Sequence, residues 1–479
     1  MSAREADFGL EISKGVLAKF AMAAIGFSGS VVFARVLGPS GYGAFYVIQT
    51  LVTVLDNPVT GWGDACKKRI SETGFPTSEA LGSGILGATV FPIVILPLVY
   101  LGNRVTGLYD LSGLFIPFCT LFVGICCFAV TNRILSARAN FSAAEWADTV
   151  RSLLTTPLQL FLVFIGLETA GMVYGLAIAT ILTIPYVMYQ IGIKPELPSL
   201  KAVSSIFSFA KYSIPNGFIG TAQSRMDILL LGAVLSSAAV GDYQVSMQLT
   251  MIGAFLGSVA AGGLMARVSD NWSQNDSHAI IEDLTNSLGY ASVLAIPIFF
   301  GASAMPGDLI VTIFGAQYSG VGTVLVGLAL FRVLATQTSQ LRSTISGLDQ
   351  PQINTQIGTV VLVLNLGLGY LLLLEYGILG VIAATIVSEI VKYTALAYAV
   401  KQYLPEVSLL NRPLRSQLLS GMVMFVVVES AHSAIGVSWW GDLTVLIGLG
   451  GIIYFTVLTA ISESFRVTVK GVLSDALRN

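Results

Sequence analysis

Runs of about 18 to 25 mostly apolar residues recur from one end of this sequence to the other, each long enough at about 1.5 Å per residue to cross about 30 Å of hydrocarbon. Inside lipid no water is available to the backbone, so every N–H and C=O must be satisfied within the chain, and runs of this length become helices. Composition agrees. Only 11% of the residues are charged and 54% are hydrophobic, against about 25% charged in a soluble domain, which excludes a water-soluble fold. The first run, near 15–33, continues into Ala34-Arg35-Val36-Leu37-Gly38 without the short core and small-residue cleavage site of a secretory signal, and is expected to stay as the first helix.

Polar, glycine and proline breaks divide the chain into spans near 14–34, 42–62, 80–101, 112–132, 150–167 and 171–190. A second set follows near 213–235, 240–263, 286–304, 319–340, 352–374 and 377–399, with a last pair near 416–435 and 442–461. The expected fold is therefore all-α and polytopic, with about 14 transmembrane helices: two six-helix bundles in parallel repeat plus two extra helices. By domain, residues 1–190 form the first bundle, 191–212 a linker, 213–400 the second bundle, and 401–479 the last two helices and a tail. Leu200, Val203, Ile206 and Phe207 lie at helical spacing beside Lys201 and Lys211, so the linker reads as an amphipathic helix at the membrane surface.

With the N-terminus placed in the cytoplasm, twenty of the 25 basic residues fall on inner segments and only Arg35 and Arg104 on outer ones, while Arg225, Arg332 and Lys392 remain inside helices. That asymmetry satisfies the positive-inside rule, places both termini in the cytoplasm and suits a multi-pass protein of the plasma membrane. Net charge, −2, points to no partner, and no nucleic-acid partner, cofactor or metal is expected. Cys119, Cys126 and Cys127 share one apolar run and Cys66 reads as lying on a loop, so neither a disulfide nor a metal spacing arises.

The sequence also repeats itself. Val36-Leu37, Gly43, Val47 and Leu51 match Val234-Leu235, Gly241, Val245 and Leu249 at a constant offset, and Leu167-Glu168 echoes Leu374-Glu375, each followed by an Ala-Thr-Ile run. Six crossings separate the matched segments, so the halves share an orientation, the plan of a transporter with a cavity between two bundles.

Two segments carry a family resemblance. Phe33-Ala-Arg-Val-Leu-Gly-Pro-Ser-Gly-Tyr-Gly-Ala-Phe at the first outer turn, and Arg225-Met-Asp-Ile-Leu-Leu-Leu-Gly followed by Val240-Gly-Asp-Tyr, resemble the polysaccharide-biosynthesis flippases related to O-antigen translocases. These sit within a larger exporter superfamily that also holds multidrug antiporters and the lipid II flippase. The resemblance implies movement of an isoprenoid-(pyro)phosphate-linked sugar from the cytoplasmic to the outer leaflet, with the glycosyltransferases and polymerase of the same pathway as partners. Within the motif itself, Gly38-Pro39 ends a helix and Gly41 and Gly43 allow a tight turn, a structural role rather than a binding one.

Charges inside a bilayer cost about 2.5 to 3.5 kcal/mol each on insertion scales, so each must find a partner or a wet cavity. Arg225 and Asp227 lie near the middle of the seventh span and Arg332 in the tenth; Glu389 and Lys392, spaced i, i+3, can pair on the twelfth. Arginine's planar fork suits a phosphate, which makes Arg225, Arg332, Lys392 and the entry-side Lys19 candidates for the head group. Asp227 and Glu389 are candidates for coupling to a proton or sodium ion. Lys14 and Lys19 also suit snorkelling to lipid phosphates, and His432 is expected to pair with Glu429 one turn away. Two other readings compete: an ion-coupled small-molecule exporter on the same fold, and a membrane polymerase or glycosyl transferase. The outer loops, a dozen residues at most, argue against any enzyme with a catalytic surface outside.

Overall fold

The computed structural model describes residues 3–72, 74–107, 109, 113–138 and 141–467, and side chains from Ile25 onward except Phe141. Among them there is no strand. Ten helices are long and apolar enough to cross a membrane. Several of these hold two crossings joined by a sharp turn: α1 (Ala3–Leu55) breaks at Gly38, whose φ of 67° and ψ of 179° are open to glycine alone, and continues through α2 (Asn57–Ile70). After α3 (Thr77–Thr106) and α4 (Phe115–Ala137), a tight turn at Val163–Leu167 separates α5 (Phe141–Leu162) from α6 (Glu168–Ile191). Farther on, α13 (Pro351–Tyr403) breaks at Gly377, φ 59°. Counting these breaks, and adding α7 (Leu200–Val234), gives the expected fourteen.

The chain forms two compact units, residues 1–241 and 242–479. The repeat groups the seventh crossing with the second half, whereas in space α7 packs on α1 and α2 of the first unit. The linker also differs from its expectation. Residues 192–199 form no helix, the Ser199 hydroxyl caps Ala202 N–H at 3.2 Å, and from Leu200 one helix continues without interruption into the seventh crossing. That start is held by Arg69, which donates to the Ser205 carbonyl at 3.0 Å and to Ser208 Oγ at 2.7 Å, and by Glu79, which accepts from Ser199 Oγ at 2.6 Å. Ile206 and Ala210 are thereby buried, while Leu200 and Phe207 stay exposed.

The second unit holds α8 (Ser237–Ser273) from Asp242 onward, α9 (Ser277–Tyr290), α10 (Ala295–Ala304), the short α11 (Pro306–Phe314), α12 (Gly322–Gly347), α13, α14 (Arg412–Ile435) and α15 (Trp440–Ile461). Its ninth crossing is unwound between Tyr290 and Ala295. The carbonyls this exposes are capped by amides: Gln337 donates to Leu288 O at 3.1 Å, and Gln417 donates to Gly289 O. Both units keep an apolar core but differ from a soluble protein in what they expose. Large apolar side chains such as Ile93, Leu98, Val363 and Ile452 are exposed, while Thr180, Gln340, Thr344 and Ser420 are buried. With lipid as the surrounding solvent, interhelical hydrogen bonds and close packing hold such helices together.

The matched glycines of the repeat touch. A Cβ on Gly43 would lie 1.7 Å from the Ser237 carbonyl oxygen, and one on Gly241 would lie 2.2 Å from the Pro39 carbonyl oxygen. The motif that reads as a turn is thus also a reciprocal backbone contact. Cys66 corrects another expectation: it lies within α2, fully buried, because the helix runs on to Ile70.

Candidate functional site

The charged residues singled out from the sequence fall into two groups. In the second unit, Arg332 of α12 and Glu389 and Lys392 of α13 come together with Tyr243 and Met247 of α8. Arg332 Nη2 donates to Met247 Sδ at 2.8 Å, and Tyr243 and Glu389 are its electrostatic neighbours. Thioether sulfur is a weak acceptor, and the buried Arg332 Nε finds no acceptor among the described residues, so the guanidinium keeps unused donor capacity. Glu389, 7% exposed, meets Lys392 at 3.8 Å in the i, i+3 geometry that the spacing requires. Asn365 donates to Thr385 Oγ1 at 3.3 Å across the Gly377 turn.

In the first unit, Arg225 is half-buried on α7 and makes no hydrogen bond or ion pair among the described residues. Asp227 is engaged in a polar or electrostatic contact, so the two charges of this segment behave differently. Lys14 and Lys19 lie on α1, but their side chains fall outside the described residues. His432 does not use Glu429: its Nε2 meets Asp308 Oδ2 at 2.6 Å, on the first turn of α11, and Glu429 is exposed. A fixed neighbour on a second helix has displaced the flexible one on the same helix.

One polar cavity was not singled out from the sequence. A cavity of about 510 Å³ lies within the first unit among α2, α4 and α5, and its lining includes Asp56, Thr60, Lys67, Asn132, Arg133 and Asp148. Glu145 and Arg151 also line it. Arg133 pairs with Asp64 at 3.0 Å and Arg151 with Asp148 at 2.9 Å; Asn132 also donates to Asp148, at 3.1 Å. Arg151 lies 4.8 Å over the Phe128 ring. The sequence reading missed this cluster through helix ends. Starting the fifth span at 150 puts Arg151 at the interface, whereas the helix begins at Phe141 and carries Arg151 about 15 Å inward. Asp56 did leave a signal, an acid inside an expected span. Beyond the cavity mouth, Arg69 hydrogen-bonds Glu72 at 2.8 Å and holds that exposed carboxyl below its ordinary range.

A family model described as "Polysaccharide biosynthesis protein" matches residues 32–322. A probable low-salt glycan biosynthesis flippase, Agl15 of Haloferax volcanii, is 26% identical over 450 residues, 93% of this chain and 89% of that protein. A probable flippase of the same organism, AglR, is 25% identical over 92% of this chain and 93% of its own. Among solved structures, the lipid II flippase MurJ in an inward closed conformation superposes with a TM-score of 0.78 at 16% identity, over 94% of this chain and 99% of that one. An inward-facing multidrug resistance transporter of the MATE family gives 0.64 at 14% identity, over 81% and 96%. At such identities the last two comparisons speak to the fold.

Proposed function

The chain belongs to the polysaccharide biosynthesis protein family, and from that premise we propose that it is a flippase carrying an isoprenoid-(pyro)phosphate-linked oligosaccharide from the cytoplasmic to the outer leaflet by alternating access. The observation that carries the reading is Arg225, a charged group nine residues, about 14 Å, before the end of α7, with no partner among the described residues. A diphosphate head group supplies what it lacks, because guanidinium binds phosphate oxygens two at a time. Arg332, under-satisfied beside Met247, is assigned the same role, with Lys392 adding charge and Lys19 receiving the head group on entry.

The named flippases of Haloferax volcanii support a lipid-linked glycan over a small cationic drug. The protein is read as a transporter rather than an enzyme, in the plasma membrane with both termini cytoplasmic, working beside the glycosyltransferases and polymerase of its pathway. Asp227 and Glu389 remain proposed carriers of a coupling ion, proton or sodium.

A transport assay normalised to folded protein tests the arginines. Arg225→Gln and Arg332→Gln are expected to lose most translocation at normal abundance, and the Lys variants to keep part of it. Full transport by both Gln variants would remove these residues from the site. At the level of the cell, deletion is expected to leave lipid-linked sugar in the inner leaflet with its synthesis intact; normal surface glycan without a second flippase would overturn the function.

A further inference from the structure

The cavity of the first unit has a graded polarity that the head-group reading does not use. Along α2, Lys67 and Asp56 are eleven residues apart, about 16 Å, or half the hydrocarbon thickness. The basic end of α2, with Lys67, Lys68 and Arg69, marks the mouth. By position along their helices, Glu145 and Ser136 belong to that end as well, Asp148 and Asn132 lie farther along, and Asp56 with Thr60 lies farthest from it. Two atoms in this lining, Arg151 Nε and Asn132 Oδ1, are buried and have no partner among the described residues, so the cleft is a place for water. Its volume accommodates on the order of ten molecules.

Most charges here cancel in pairs: Arg133 with Asp64, and Arg151 with Asp148. Asp56 and the exposed Glu145 are the exceptions, and the Asp56 carboxylate accepts one hydrogen bond, from Thr60 Oγ1 at 3.3 Å, with no ion pair among the described residues. With Arg133 and Arg151 already engaged by carboxylates, the uncompensated charge at Asp56 is negative and suits a cation.

Asp56 also lies at a bend that reaches the proposed head-group site. Pro58 supplies no backbone N–H, and the Asn57 amide stands in for the missing donor, giving hydrogen bonds to Thr53 O at 2.9 Å and Val54 O at 3.2 Å. The same amide accepts from Thr221 Oγ1 of α7 at 3.1 Å. Thr221 and Arg225 are spaced i, i+4 and share a helix face.

We infer that Asp56 is a proton-binding site, reached by water through this cleft, and that its charge is linked through the Asn57 bend and Thr221 to Arg225. The step is one proton passing from cleft water to an Asp56 carboxylate oxygen, forming an O–H bond and leaving hydroxide, or neutral water where hydronium is the donor. The titratable and charged groups around Asp56 are Asp64 and Lys67 on α2, Cys126 and Arg133 on α4, and Glu145, Asp148 and Arg151 on α5. On its other side α7 meets α2 through uncharged Ile214, Gly217 and Thr221, with Lys211 and Arg225 the nearest charges along that helix. The link to Arg225 rests on the flippase reading; proton binding itself does not.

The test uses the full chain in vesicles without substrate. Infrared difference spectra between about pH 5 and about pH 8 read carboxyl protonation directly. A protonated-carboxyl band is expected in the parent, reduced in Asp56→Asn by the contribution of one carboxyl, and restored in Asp56→Glu. An undiminished band in folded Asp56→Asn overturns the proposal. A second arm measures binding of an isoprenyl diphosphate against pH. One linked proton changes affinity by at most about tenfold per pH unit, and that dependence should fall to no change in both Asp56→Asn and Thr221→Val. A band that depends on Asp56 without any diphosphate binding would overturn the flippase reading and leave the proton site standing. Diphosphate binding with its pH dependence intact in Asp56→Asn would overturn the linkage.

Discussion

Replacing Gly43 with alanine tests the reciprocal glycine contact most directly. The added methyl would stand 1.7 Å from the Ser237 carbonyl oxygen, and relief to an ordinary contact of 3.4 Å needs a displacement of about that same distance. The obstacle is backbone on a helix start, with no flexible side chain to give way. Overpacking of this kind costs about 1 to 3 kcal/mol, a factor of about 5 to 150 in the folded population. Alanine's better helix propensity returns under about 1 kcal/mol. Gly241→Ala, with its Cβ at 2.2 Å from Pro39 O, should behave alike. Because the two share one contact, the pair should be sub-additive: once one methyl has separated the segments, the second meets less. Gly448→Ala, with nothing within 4 Å, is the control and should be neutral or slightly stabilising. Equilibrium unfolding in mixed micelles gives the differences. Gly43→Ala unfolding with the control's midpoint, or strict additivity in the double variant, would refute the reasoning.

Buried Cys66 should resist thiol reagents from either side of the membrane in folded protein and react once the chain is unfolded; prompt labelling of native protein would show that α2 does not bury it. His432→Ala should cost about 1 kcal/mol, discounted because Asp308 is 40% exposed, and Glu429→Ala should cost nothing measurable in the same melts. Arg69→Lys should loosen the start of α7, since a point charge cannot serve the Ser205 carbonyl, Ser208 and Glu72 together, and hydrogen exchange over 200–210 should rise selectively. Reporters inserted after Glu72 and fused to the C-terminus should both report the cytoplasm; an external signal at either would invert the orientation.

What the sequence determined by itself was the class of solution. Apolar runs longer than a bilayer is thick leave helices as the answer, their breaks set the count near fourteen, and the halves' shared motif set the repeat. The Glu389–Lys392 pair was legible too, because i, i+3 spacing fixes distance along one helix whatever surrounds it. Contacts between helices were not. His432 chose Asp308 on another helix, and Gly43 and Gly241 proved to be packing surfaces as well as turns. Helix ends in particular lay beyond reach, since polar residues at a span's edge look alike whether they leave the helix or continue it inward. Arg151, Arg133 and Lys67 therefore read as interfacial charges. Only the tertiary structure, by extending α2, α4 and α5 and setting them side by side, turned those charges and the solitary Asp56 into one polar cleft. Local spacing is written along one chain segment, whereas a cavity depends on how several segments are registered against each other, and that register is set by packing.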